Sequence, residues 1–146
     1  MRLGDIGNEG ALGFGKPLEG IRILAAEQMQ ALPYATQLLA RLGADVVKVE
    51  HPTMGDSGRG SSPFMLDPQG RKVGATYLRN NFNKRSVGID VSTPDGQEVL
   101  YEIAKTADVF LTNYLPAQRQ RNKFDVEHIR AVNPKIIYAR GSAYGD

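Results

Sequence analysis

Cysteine is absent from this chain, which excludes disulfides, thiolate metal ligands and a cysteine nucleophile. Histidine occurs only at His51 and His128, too few for a His-rich metal site. No run of about 18 apolar residues exists, so the sequence predicts no membrane-spanning helix. Charge of one sign is lacking too: 18 Lys+Arg against 16 Asp+Glu leave a net +2, which gives no bulk-charge argument for a nucleic-acid partner. The first fifteen residues, MRLGDIGNEGALGFG, contain five glycines and lack the apolar core of a signal peptide. They read as a flexible Gly-rich leader on a cytoplasmic protein.

What is present falls into alternating elements. At 146 residues with 41% hydrophobic content the chain can form one domain, burying roughly 68–70% of its unfolded surface. The stretch IRILAAE (21–27) has strand composition. ALPYATQLLARLG places Ala31, Ala35, Leu38 and Leu42 at i, i+4, i+7 and i+11, predicting a helix that buries those four. Pro33 sits in its first turn and Gly43 at its stop. DVVKVE (45–50) is a second strand, and the βαβ unit predicts a parallel pair with a right-handed crossover. Residues 51–74 show no periodicity and read as a long loop, functional or disordered. SVGIDV (86–91) is a strand leading to a helix capped by Thr93, whose buried stripe is Val99, Leu100, Ile103, Ala104 and Ala107. Next come a strand in DVFLTNY (108–114), a short helix in DVEHIRAVNP (125–134) and a strand in KIIYARG (135–141). The triplets Ala44-Asp45-Val46 and Ala107-Asp108-Val109 repeat one helix-to-strand hinge. The expected fold class is α/β: a doubly wound, mostly parallel, Rossmann-like sheet, incomplete at its end.

Such a sheet invites a dinucleotide, and the first strand–helix turn tests the idea. The turn must carry glycines so that the backbone can approach a pyrophosphate. Here it reads AAEQMQALPYA, without one. Gly13-Phe14-Gly15 precedes the strand instead of following it, so NAD and FAD are not expected. No G-x-x-x-x-G-K-[ST] loop occurs, and no G-x-S-x-G elbow supplies a serine nucleophile.

A set of polar side chains remains at strand ends and in loops: Gln28, Gln30, His51, Arg59, Asn83-Lys84-Arg85, Asn113, Arg119 and Arg121. Singly, each is most simply a solvated surface residue. Jointly, Gln30, His51, Ser92 and Asn113-Tyr114 all follow the carboxyl ends of predicted parallel strands and should share one rim. Cationic side chains beside Tyr114 suit an anionic ligand with an aromatic base.

The segments PLEGIRIL, LPYATQLLARLGADVVKVEHPTMGD, NFNKRSVGIDVSTPDGQEVL, ADVFLTNYLP and NPKIIYARGSAYG, in this order, resemble the family III CoA transferases. That group includes formyl-CoA and carnitine-CoA transferases, with acyl-CoA racemases as relatives. The resemblance runs from Lys16 to Asp146 and implies a large CoA-transferase domain of which residues 16–146 are the N-terminal part. It implies transfer of coenzyme A between an acyl-CoA thioester and a carboxylic acid, through covalent intermediates on an aspartate. It needs neither metal nor NAD or FAD, and implies a homodimeric parent.

By resemblance, Gln30 and Ala31 lie against the CoA and the reacting region. His51 stands where relatives carry Arg or Pro beside the adenine. Ile89 and Ser92 line the adenine and phosphate end, Ser92 replacing a frequent Lys. Asn113 and Tyr114 match an Asn-Phe pair against nucleotide and pantetheine, and Arg121 matches an Arg near the phosphates. Leu32 replaces a Gly in the first turn. The attacking aspartate is expected beyond residue 146, with Asp146 a loop residue, so this chain alone is expected to be catalytically silent. A racemase of the same family, or a non-catalytic nucleotide-binding fragment, stays open as an alternative.

Overall fold

The computed structural model describes residues 15–145. The expected leader therefore lies outside the described residues apart from Gly15, as does Asp146. In chain order the elements are β1 (Arg22–Ala26), α1 (Ala31–Arg41), β2 (Asp45–Glu50), a 3-10 turn at Ser57–Gly60, β3 (Phe64–Leu66), β4 (Lys72–Gly74), α2 (Ala75–Asn80), β5 (Arg85–Gly88), α3 (Pro94–Ala104), β6 (Val109–Thr112), α4 (Pro116–Arg121), α5 (Val126–Val132) and β7 (Ile137–Arg140). Five strands form one sheet in the order β5-β2-β1-β6-β7, every pairing parallel. β3 and β4 form a separate antiparallel hairpin. The expected doubly wound α/β sheet is the observed one.

Strand alternation sorts the apolar side chains onto two faces. Ile23, Ala25, Val46 and Leu111 pack with Ala40 and Ala44 of the α1 side. Leu24, Ala26, Val47, Val49 and Phe110 pack on the other face with Leu100, Ala104, Phe124 and Ile129. Helices thus cover both faces. The repeated Ala-Asp-Val hinge has a physical reason, because both aspartates converge on the start of β1. Asp108 accepts a hydrogen bond from the Arg22 amide at 2.8 Å, and Asp45 accepts one from the Arg22 guanidinium at 2.9 Å. Arg22 thereby joins the three central strands at their amino ends.

Helix α1 is turned relative to the apolar pattern. Its buried residues are Pro33, Thr36, Gln37 and Ala40, while Leu38 and Leu42 are 40% and 46% exposed. The rotation lets the Thr36 hydroxyl donate to the Glu27 carboxylate at 2.8 Å, and Glu27 is fully buried. Satisfying a buried charge outweighs hiding two leucine side chains. In α3 the predicted stripe holds for Leu100 and Ala104, and Ala107 is buried just past the helix, but Val99 is exposed. Residues 51–74 are largely structured, by the 3-10 turn and the β3–β4 hairpin, and helices α2 and α4 follow no signal used above. Both are six-residue helices, too short for the apolar period to show.

Helix α3 starts as expected, with Thr93 as N-cap accepting from the Gly96 amide at 3.1 Å. Gly96 lies against the preceding turn: a β-carbon there would sit 1.9 Å from the Asp90 carbonyl oxygen. Gly→Ala in a helix ordinarily stabilises by about 1 kcal/mol. Here the sign should reverse, with Gly96→Ala costing about 1–3 kcal/mol from backbone displacement. Urea unfolding checks this, and a raised midpoint would contradict the packing described.

Candidate ligand-binding cleft

The carboxyl ends of β1 and β2 carry charges that are buried, not solvated. Lys48 and Asp56 form an ion pair with side chains 1% and 0% exposed. Lys84 and Glu27 form a second at 2.7 Å, 2% and 0% exposed. Asn81 links the two by accepting from Lys48 at 3.1 Å and from Lys84 at 3.0 Å. Glu50 adds a third pair: Arg59 donates to both of its oxygens, at 2.7 and 2.9 Å. Tyr77, Ser86 and the Asp56 amide donate to it as well. Burial pushes the Glu50 carboxyl upward, but the hydrogen bonds from Arg59, Ser86, Tyr77 and the Asp56 amide outweigh it and hold the group at about 2. Burial also pulls the Lys84 ammonium below the usual lysine range, against the opposing pull of Glu27.

This cluster fixes two loops. Asp56 accepts from the Met29 amide at 3.1 Å and from the Gly58 amide at 2.7 Å. Met29 is thereby held in the left-handed region, at φ 66°, where a non-glycine residue costs about 1–2 kcal/mol. The β1–α1 turn is clamped from its other side by Asn113, which accepts from the Gln28 amide and donates to the Gln28 carbonyl, both at 2.9 Å. Gln28 in turn donates to the Tyr114 hydroxyl at 2.6 Å. In this strand order the chain reverses between β1 and β6, the crevice where open α/β sheets usually seat a ligand. The Gln28–Asn113 clamp bridges that crevice, leaving no glycine-lined gap for a pyrophosphate.

The open space lies beside the clamp, on the α3–α5 face. A cleft of about 320 Å³ is walled by Ala26, Gln28, Val49 and Glu50 on the floor, by His51 and Ile89–Ser92 on one flank, and by Tyr114, Gln118, Arg121 and Phe124 on the other. Tyr114 meets Phe124 edge-on, with ring centres 5.4 Å apart, so the aromatic flank is rigid. Burial raises the Tyr114 phenol, keeping it neutral. Ser92 donates its hydroxyl to Asp90 at 2.6 Å and lowers that carboxyl. The Thr53 and Met54 amides donate to His51 Nδ1, each at 3.3 Å, and His51 Nε2 lies 3.9 Å from Asp90. Arg121 makes no hydrogen bond or ion pair among the described residues, so its guanidinium is available.

The eight residues named from the sequence therefore divide. His51, Ile89, Ser92, Tyr114 and Arg121 line one cleft. Asn113 is the clamp beneath it. Gln30 and Ala31 face a different cavity, with Tyr34 and Arg79, on the far side of the β1–α1 turn. Lys84, Arg59 and Arg119, read singly as solvated, are instead tied to Glu27, Glu50 and Asp125. Leu32 is accommodated because its Cγ lies 2.9 Å from where Gly141 would carry a β-carbon. Gln28, a polar residue just past β1 in the sequence, and Phe124 complete the walls; Phe124 carried no sequence signal, because the short helix α4 before it shows none. His128 lies outside the cleft, with Nδ1 3.6 Å from Glu127. A larger groove of about 890 Å³ runs between β5 and α3, but it includes Arg22 and Arg85, the first residues of their strands. It therefore opens at the amino-terminal side, opposite to where such sheets bind ligands.

The profile of CoA-transferase family III matches residues 18–146. The chain belongs to CoA-transferase family III. A formyl-CoA:oxalate CoA-transferase from Rhodopseudomonas palustris is 43% identical over 130 residues, 89% of this chain and 30% of that protein. A succinate–glutarate CoA-transferase from Agrobacterium fabrum is 37% identical over 131 residues, 88% of this chain and 33% of that protein. A CAIB/BAIF family protein from Brucella suis superposes with a TM-score of 0.79 at 33% identity, covering 86% of this chain and 33% of that one. The chain thus spans about a third of the length of these relatives. Among the described residues no group of His, Asp and Glu is placed to hold a metal ion, and no helix is long and apolar enough to cross a membrane.

The Glu50 arrangement predicts an acid-dependent stability. Its folded carboxyl is depressed from 4.5 to about 2. Its contribution is therefore complete above pH of about 4.5 and is lost as pH falls toward about 2. Glu50→Gln should destabilise at pH 7 by on the order of 3 kcal/mol, and the gap from wild type should narrow through that window. Urea titrations at stepped pH measure the gap. A gap independent of pH would contradict the assignment.

Proposed function

We propose that this chain forms the CoA-binding part of a CoA transferase, which moves coenzyme A from an acyl-CoA thioester to a free carboxylic acid. The observation that carries the reading is the cleft itself. A rigid aromatic flank, Tyr114 against Phe124, stands beside the guanidinium of Arg121, which has no partner among the described residues, and His51 and the Ser92 hydroxyl line the same cleft. That set suits an aromatic base with phosphates at its edge: Ile89 and Tyr114 offer apolar surface to the base, and Arg121 offers a planar fork to phosphate oxygens. The Gln28–Asn113 clamp argues against an extended dinucleotide across the sheet.

In this reading the reaction proceeds on an aspartate outside residues 15–145. Its carboxylate attacks the thioester carbonyl, the C–S bond breaks, and the CoA thiolate leaves an acyl anhydride on the protein. The thiolate then attacks the aspartyl carbonyl of that anhydride, releasing the first acid as carboxylate and leaving an aspartyl–CoA thioester. The acceptor carboxylate repeats the two steps in reverse order, and the free aspartate returns. Neither carboxylate that lines the cleft suits this role. Glu50 accepts five hydrogen bonds from four groups, and Asp90 is held low by Ser92. Such engaged oxygens are poor nucleophiles. A homodimeric parent goes with the same reading.

Titration calorimetry of the chain with CoA, dephospho-CoA and NAD tests it. CoA should bind tightest and NAD weakest, and Arg121→Ala should weaken CoA by about tenfold, the loss of one charge-assisted contact. NAD binding as tightly as CoA would overturn the reading.

A further inference from the structure

Strand β5 is an outer strand of the sheet, paired with β2 on one side and with no strand on the other among the described residues. The Ile89 amide donates to the Glu50 carbonyl at 2.9 Å, and backbone groups alternate in direction along a strand. Arg85 and Val87 therefore turn their amides and carbonyls toward β2, and Ser86 and Gly88 turn theirs outward. The Val87 side chain packs on the α3 side of the sheet. The Ser86 side chain points to the opposite face, where its hydroxyl donates to Glu50 at 2.8 Å. Ser86 nevertheless lines the groove of about 890 Å³ between β5 and α3, so what it brings there is its backbone.

The floor of this groove is apolar, with Val47 and Val87 from the sheet and Val99 and Ile103 from the helix. Val99 is 48% exposed, the one member of the α3 stripe that the chain leaves open. The helix rim is acidic: Asp95, Glu98 and Glu102 stand at i, i+3 and i+7 on one face. Glu102 pairs with Lys105, whereas Asp95 and Glu98 make no side-chain hydrogen bond or ion pair among the described residues. The cations of the groove, Arg22 and Arg85, are both tied to Asp45. The free charge is thus negative, which repels a nucleotide and draws a cation.

A bare strand edge beside a helix, over an apolar floor, is the geometry in which an extended peptide joins a sheet. Main-chain hydrogen bonds then hold it and alternate side chains select it. Helix α3 has 11 residues and a length of about 16 Å, which about five extended residues span. A second copy pairing edge to edge about a two-fold axis would bring its own Asp95 and Glu98 toward the same acids, so charge favours a basic segment over a copy of this chain.

We infer that the groove binds an extended basic peptide, which adds a sixth strand beside β5 through the backbone of Ser86 and Gly88. Its lysine or arginine stems lie over Val99 and Ile103, and their charged heads reach Asp95 and Glu98. The inference stands apart from the CoA-transferase reading, because the groove shares no lining residue with the cleft.

The probe is the end-blocked heptapeptide TKTVTKT, which presents Lys, Val and Lys on one face, with TETVTET as its charge-reversed control. Each is titrated into the full chain, and amide hydrogen exchange is followed at Ser86 and Gly88. Saturating TKTVTKT should slow exchange at both amides by at least about tenfold. TETVTET should bind at least about tenfold more weakly, and Glu98→Lys should weaken TKTVTKT by about tenfold while leaving CoA affinity unchanged. No binding of TKTVTKT, equal binding of the two peptides, an unchanged affinity in Glu98→Lys, or binding without protection at Ser86 and Gly88 would each overturn the inference. Protection of these amides that rises with protein concentration in the absence of peptide would overturn it too, assigning the edge to a second copy.

Discussion

The rest of the structure depends on the burial of Lys48 against Asp56. Neither side chain reaches water, and the pair sits where the second strand ends and the loops of the cleft begin. Three cations, Lys48, Lys84 and Arg59, face three carboxylates, Glu27, Asp56 and Glu50, so the cluster is balanced. Burying such charges costs several kcal/mol per ion unless geometry and extra hydrogen bonds compensate. Here they do: Asn81, Thr36, Tyr77, Ser86 and three backbone amides fill the remaining donors and acceptors. A network of this kind tolerates little displacement, because any partner withdrawn leaves a buried charge unpaired. Its stiffness passes to the β1–α1 turn through Met29 and to the 3-10 turn through Gly58.

Strand order and cluster together decide where a ligand can sit. The sheet has the layout of a nucleotide-binding fold, yet its reversal point is bridged by Gln28 and Asn113. A glycine-free turn at this place follows from that bridge: no backbone needs to approach a phosphate there, and side chains can instead cross the crevice. The open space lies to the side of the bridge, on the face where Ile89, Tyr114 and Phe124 provide apolar walls.

The fold was legible because the strands have short apolar runs bounded by hinge residues, and because Thr93-Pro94 and Asp45 and Asp108 mark element ends by local chemistry. Helix α1 was misread for a stated reason. Periodicity weighs Leu38 and Leu42 above Thr36, but the buried Glu27 needs the threonine hydroxyl. Lys84 and Arg59 were misread for the same reason, since pairing across 57 and 9 residues leaves no local signature. For the cleft, strand-end position gathered His51, Ser92 and Tyr114, which line one space in the structure. It also grouped Gln30 with them, because a rim seen in sequence has no sides, and only the folded turn shows which way each successive residue faces.

The measurement that tests the account most directly is the crystal structure of the chain with coenzyme A bound. The account predicts the adenine between Ile89 and Tyr114, a phosphate within hydrogen-bond reach of Arg121, and the Gln28–Asn113 clamp and Lys48–Asp56 pair unchanged. Density for the nucleotide in the groove between β5 and α3, or a clamp opened to admit phosphates across the β1–β6 crevice, would contradict it.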